Sequence, residues 1–194
     1  DLSPYVTFSD QRNFFSGNPN LDPEFTDSYE LGHILYGEKS TLFSTVYYRS
    51  TQDKIQRIRT VGENGFSVTA PYNLVGEESY GLEFSGDYAA KSWWKLDFNA
   101  NFFYAKVDGS NLNQNFQATT TSMLFRQSSR FTLPKGWDLQ IRGNYEARRK
   151  TAQGVQKGIF FLDLSASKKI LNQRGTLIFN VADVLNSRIN RYIT

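Results

Sequence analysis

Residues 94–106, WKLDFNANFFYAK, alternate between two kinds of side chain over most of their length. Trp94, Leu96, Phe98, Ala100, Phe102 and Tyr104 share one parity. Lys95, Asp97, Asn99, Asn101 and Phe103 share the other. Successive side chains of a β-strand point to opposite faces, so this stretch reads as one long strand with an apolar, aromatic face and a mostly polar one. Strands of soluble sandwiches alternate too, but are usually about 5–6 residues long. From Trp94 to Tyr104 the chain makes about 10 steps of roughly 3.3 Å. Tilted by about 40°, that is roughly 25 Å of height, the apolar band of a transmembrane β-barrel.

The pattern recurs. In 137–150, Trp137, Leu139, Ile141, Gly143, Tyr145 and Ala147 oppose Asp138, Gln140, Arg142, Asn144, Glu146 and Arg148. In 77–90, Tyr80, Leu82, Phe84, Gly86 and Tyr88 oppose Glu83, Ser85 and Asp87. Long strands are expected near 26–36, 41–50, 77–90, 93–107, 116–133, 137–150, 159–170 and 176–183. Within 116–133, Gln127 and Ser129 interrupt the apolar parity, which predicts either a bulge or a half covered by protein. Between the strands, short turns (37–40, 90–92, 134–136, 172–175) alternate with longer polar segments (51–76, 108–115, 151–158). This order belongs to an all-β, antiparallel up-and-down meander of about eight long strands, with short turns at one end and long loops at the other. Trp94 and Trp137 follow short turns, and Tyr104 and Tyr145 lie toward long loops. These four are expected to form the aromatic girdles of a membrane band.

Composition permits this reading. A mean hydropathy of −0.50 is low for a helical membrane protein, and no apolar run approaches the length of a transmembrane helix. A barrel escapes that test because its interior-facing half is polar. The net charge of +3 among 194 residues is mild and dispersed, which argues against nucleic acid as a partner. Without cysteine there is neither a disulfide scaffold nor a thiolate metal site. The chain begins at Asp1 without a signal peptide, so a processed or excised polypeptide is expected.

Residues 1–25 carry Pro4, Pro19 and Pro23, with a short strand expected near 5–9 and then a turn. At 17–24 stands GNPNLDPE, followed by Thr26, Asp27 and SYELG at 28–32. Pro19 and Pro23 fix φ and remove ladder donors, so this stretch turns rather than pairs. The motif and the strand after it resemble the GNP-x-L-x-PE turn of TonB-dependent receptor barrels, most closely the outer-membrane β-barrel family common in Bacteroidetes. LSPYVTFSD at 2–10 and NVADVLNSR at 180–188 are similar to further segments of that family. The resemblance spans the whole chain and implies a larger parent, with a plug domain and a barrel of about 22 strands.

On that basis residues 1–194 are expected to be a partial barrel. Residues 1–25 would hold a strand end and the GNP turn, 26–183 the meander, and 184–194 the start of a loop or a truncated end. The implied function is uptake of a nutrient such as a siderophore, glycan or peptide. The implied partners are outer-membrane lipid and lipopolysaccharide, and, through the rest of the parent chain, the plug and TonB. An isolated piece would expose two sheet edges and is expected to self-associate through them. A complete eight-stranded barrel with a structural or adhesion role, a lipocalin-like soluble barrel and an outer-membrane hydrolase are the alternatives.

Nothing in the residue pattern points to catalysis or a cofactor. His33 is the only histidine, and is expected in the lumen or at an interface. Glu77, Glu78, Glu83 and Asp97 are expected to join Lys95 and Arg142 in a salt-bridge ladder. The tetrapeptide at 62–65, GENG, is a turn rather than a phosphate cradle. The residues expected to contact a ligand or lipopolysaccharide are Lys54, Arg57 and Arg59 in the 51–76 loop, and Arg148, Arg149 and Lys150 beside the last long loop.

Overall fold

The computed structural model describes residues 2, 3, 5–8, 10–62, 65–112 and 116–193. Pro4, Ser9 at the end of the expected 5–9 strand, Glu63 and Asn64 of the 62–65 turn, the end of the 108–115 loop, and both terminal residues lie outside them. In chain order the strands are β1 (Val6–Phe8), β2 (Asn13–Ser16), β3 (Phe25–Tyr36), β4 (Ser40–Gln52) and β5 (Ile55–Val61). There follow β6 (Ser67–Asn73), β7 (Gly76–Lys91), β8 (Trp94–Gly109), β9 (Phe116–Leu133) and β10 (Trp137–Glu146). The last are β11 (Arg149–Thr151), β12 (Gly154–Gln156), β13 (Ile159–Ile170), β14 (Gly175–Val181) and β15 (Tyr192–Ile193).

Eight of these form one antiparallel wall in the order β14-β13-β10-β9-β8-β7-β4-β3. They are the eight long strands the alternation predicts, with bounds differing by a few residues. β3 and β14 are the two edges of the wall, which is not closed by pairing between them.

Register joins the faces of neighbouring strands into one surface. Tyr29, Tyr48, Tyr80 and Tyr104 stand directly opposite one another across four strands. Their rings stack at 6.4 Å (Tyr29–Tyr48) and 4.9 Å (Tyr80–Tyr104). At the short-turn end, Trp94 stacks on Phe131 at 5.8 Å. The same face carries Leu31, Val46, Leu82 and Phe102 in a row between these levels, and Phe131, Leu139, Ala166 and Phe179 in a row that continues the Trp94 level. The face is apolar yet open: Leu31 is 77% exposed and Phe179 68%. A water-soluble sheet buries such a face.

Gln127 and Ser129 of β9 fall on the apolar face without any bulge, since β9 pairs continuously with both neighbours. They satisfy each other instead. Gln127 donates to the Ser129 hydroxyl at 2.7 Å, and the Trp94 indole donates to the same oxygen at 3.5 Å. Ser129 is buried.

The opposite face is polar, but its charges do not form the expected ladder. Register sets Lys95 opposite Arg130, and Asp97 opposite Asp87. Like charges facing each other across strands repel rather than bridge. Among the described residues Glu83 accepts from Asn99 at 2.9 Å, and the wall's own ion pair is Arg49–Glu30 at 2.6 Å. Tyr47 lies flat over Gly81, where a Cβ would meet the Phe102 carbonyl oxygen at 2.5 Å and the Tyr47 hydroxyl at 2.7 Å. Its hydroxyl donates to Asn101, and the Arg49 guanidinium covers its ring at 4.6 Å. His33 stands on the apolar face opposite Ser44, exposed on the edge strand, so it is not in the lumen.

Candidate functional site

The 51–76 segment is not the irregular loop its polarity suggests. β5 and β6 form a hairpin, and β6 pairs in parallel with β2 to give a second sheet in the order β1-β2-β6-β5. Its apolar residues explain why it folds. Ile58 and Leu74 are the largest fully buried side chains among the described residues, 1% and 0% exposed. They pack with Phe116, and Tyr72, Val107, Leu112 and Ala152 close around them. This core lies at the long-loop end of the wall, where segments from three connections meet.

The GNPNLDPE turn anchors that assembly. Asn18 donates to the Pro71 carbonyl at 3.1 Å, and the Glu24 carboxylate accepts from the Ile55 N–H at 2.7 Å. Asn73 is the hub. Its amide oxygen accepts from the Asp22 N–H at 2.9 Å, and its amide nitrogen donates to the carbonyls of Asp22 and Asp53 at 2.9 and 2.7 Å. Its own carbonyl accepts from Asn111 at 2.9 Å. One residue thus ties the turn, the hairpin and the 110–112 loop together.

The predicted strand at 137–150 stops at Glu146. The Ser122 hydroxyl takes up the carbonyls of Ala147 and Arg148 at 3.4 and 3.2 Å, which withdraws them from the ladder. The chain then forms the β11–β12 hairpin, with β15 on its far side. Gln153 at its tip binds Arg59 of β5, so the two hairpins are clasped. Beneath them, on the polar side of β8 and β9, is a cavity of about 190 Å³ lined by Gln56, Glu77, Phe103, Thr120, Arg149 and Lys150 among others.

The six basic residues divide. Lys54 is held between Glu24 (3.8 Å) and Glu77 (3.9 Å) and serves the corner of the fold. The Arg59 guanidinium donates to Asn13 at 2.9 Å. Arg149 donates to buried Gln156 at 2.6 Å while still lining the cavity. The side chains of Arg57, Arg148 and Lys150 make no hydrogen bond or ion pair among the described residues, and all three are exposed. Lys150 faces the same cavity as Arg149. Sequence spacing could not group these residues, because the two hairpins that carry them are 94 residues apart at the clasp.

Outside the cavity, Asp10 organises the β1–β2 turn. Its carboxylate accepts from the N–H groups of Arg12 (2.8 Å) and Asn13 (2.9 Å), and from the Asn13 amide. These donors, the Arg12 N–H first, lower its pKa below the usual value.

A meander of long strands, open and apolar on one face and polar on the other, is the wall of a transmembrane β-barrel. The chain belongs to the outer membrane protein beta-barrel family, which it matches over residues 1–194. Its place is the bacterial outer membrane. No curated protein matches the sequence. Among solved structures it is similar to the copper transporter OprC, at 18% identity and a TM-score of 0.61 over 92% of this chain. It is similar also to the siderophore receptor PirA from Pseudomonas aeruginosa (16%, 0.64, 97%). A third is a mutant of the ferric enterobactin receptor PfeA from Pseudomonas aeruginosa (12%, 0.62, 89%). The chain spans 29%, 34% and 27% of those three chains. At such identities the likeness is one of fold.

Proposed function

We propose that these residues form part of the barrel wall of a TonB-coupled receptor that imports a nutrient, such as a siderophore, a glycan or a peptide, across the outer membrane. One observation carries the reading. An open, eight-stranded wall with one apolar face matches about a third of three barrels that are named as a transporter and two receptors. A self-contained eight-stranded barrel has the right strand count, but it would pair β3 with β14, and these are separate edges. In this reading the apolar face meets lipid, with Trp94 and Trp137 at one interface and Tyr104 and Tyr145 at the other. The plug and the contact with TonB belong to the rest of the parent chain.

The clasped hairpins are the ligand-facing layer. Arg149 and Lys150, on the cavity, are suited to an anionic ligand, and exposed Arg57 and Arg148 to lipopolysaccharide phosphates. Lys54 is structural, since two carboxylates engage its charge, and Arg59 is held by Asn13 away from the cavity lining.

The test is uptake by cells with and without the gene for the full-length protein. Labelled ferric siderophore, copper, oligosaccharide and peptide are supplied, with and without a protonophore. Loss of energy-dependent uptake of one of them on deletion supports the reading. Uptake that persists unchanged in de-energised cells makes the protein a passive channel and sinks it.

A further inference from the structure

Lys168 is the only charged side chain on the apolar face of β9, β10, β13 and β14. It stands opposite Trp137 at the short-turn end. Its ammonium lies 5.1 Å from the centre of the Trp137 ring and donates to the carbonyl of Lys135 in the 134–136 turn. The stem therefore runs along apolar surface while the charge is drawn to the rim. More cations border this rim. Lys135 is in the same turn, and Arg174 is in the 171–174 turn, while Lys169 alternates to the polar face. Neither turn contains an acidic residue. The nearby Asp138 is on the polar face, where it accepts from Thr132 at 3.0 Å.

Directly beside Lys168 the apolar face is notched. Ala166 sits between Leu139 and Phe179 in one cross-strand row, and Ile141 and Leu164 follow in the next. With Phe131 they line an open groove of about 420 Å³. The small side chain of Ala166 leaves the space that a larger residue would fill.

We infer that this groove and the Lys168 rim form a site for one glycerophospholipid with an anionic headgroup. An acyl chain lies in the groove over Ala166, and the phosphate meets the Lys168 ammonium at the level of Trp137. Charge complementarity selects the headgroup: a zwitterionic lipid brings its own cation to a rim that already holds three. Lipopolysaccharide phosphates lie at the opposite end, with the long loops. The site depends on the apolar face meeting lipid and not on what the barrel transports.

The experiment uses the full-length protein in nanodiscs of phosphatidylethanolamine with phosphatidylglycerol. Bound lipid is identified by native mass spectrometry, for wild type and for Lys168→Glu, Lys168→Gln and Ala166→Phe. Wild type retains phosphatidylglycerol. Lys168→Glu lowers that retention by about fivefold or more, the worth of one basic residue at a membrane surface. Lys168→Gln lowers it less, and provides the reading if the reversal does not fold. Ala166→Phe lowers retention of both lipids. Equal retention of the two lipids by wild type, unchanged retention in the variants, or lipopolysaccharide bound in place of phospholipid overturns the inference.

Discussion

The side-chain amide of Gln153 binds both backbone groups of Arg59, accepting from its N–H at 2.9 Å and donating to its carbonyl at 2.7 Å. A single residue at the tip of one hairpin thereby continues the hydrogen bonding of another hairpin's edge strand. No local feature of the sequence announces this contact.

Gln153→Ala removes both bonds and separates the hairpins. The opening of β5 becomes easier by about 1–3 kcal/mol, the net worth of two neutral hydrogen bonds. Hydrogen exchange at the Arg59 amide measures it, and faster exchange there with little change in β8 is the expected result. Unaltered protection at Arg59 would show that the clasp holds nothing together.

Leu74→Ala opens a void in the small core around Ile58 and Phe116. Truncating a fully buried leucine costs about 2–5 kcal/mol. The loss is expected at the long-loop end alone, seen as proteolytic cutting within 51–76 while the wall stays resistant. Cutting spread evenly over the wall would contradict the separation of the two parts.

Asp10 gives a pH signature. Its carboxyl is held below the ordinary value of 3.8 by the Arg12 N–H and its other donors. A depressed carboxylate stabilises its turn above the ordinary value, and that contribution disappears only as pH falls through the lowered folded value. The carboxyl carbon shift of Asp10, followed by NMR, is therefore expected to titrate with a midpoint below 3.8. A midpoint at or above 3.8 would mean that the turn is open in solution.

β3 is exposed along all 12 residues and lacks a partner on one side. Prepared alone, residues 1–194 are expected to associate in detergent through the β3 and β14 edges. Sedimentation checks this, and Ile34→Pro, which removes an N–H that faces the open edge of β3, is expected to weaken the association. An unsubstituted polypeptide that stays monomeric at raised concentration in the same detergent would refute it.

The wall was legible because its strands are two-sided. Trp94 to Tyr104 alternate with Phe103 as the one exception, and one such strand constrains the face of every neighbour through register. The loop layer was hidden for the opposite reason. Ile58 stands between Arg57 and Arg59, so β5 reads as a polar connector until Leu74 and Phe116 are brought against it. The basic candidates were visible as residue types, yet Glu24 and Glu77 around Lys54, and Asn13 beside Arg59, come from distant parts of the chain. The salt-bridge ladder failed at the level of register: composition supplies the charges, but only the pairing reveals Lys95 facing Arg130 and Asp97 facing Asp87.

Ile58 and Leu74, the best buried side chains of the described chain, lie outside the apolar band. Two different solvents thus govern one polypeptide. The wall keeps its shape through ladder bonds that hydrocarbon leaves no alternative to. The layer above it coheres because water expels apolar groups, a force that weakens on cooling. Cold therefore loosens the lid of this barrel before it touches the staves.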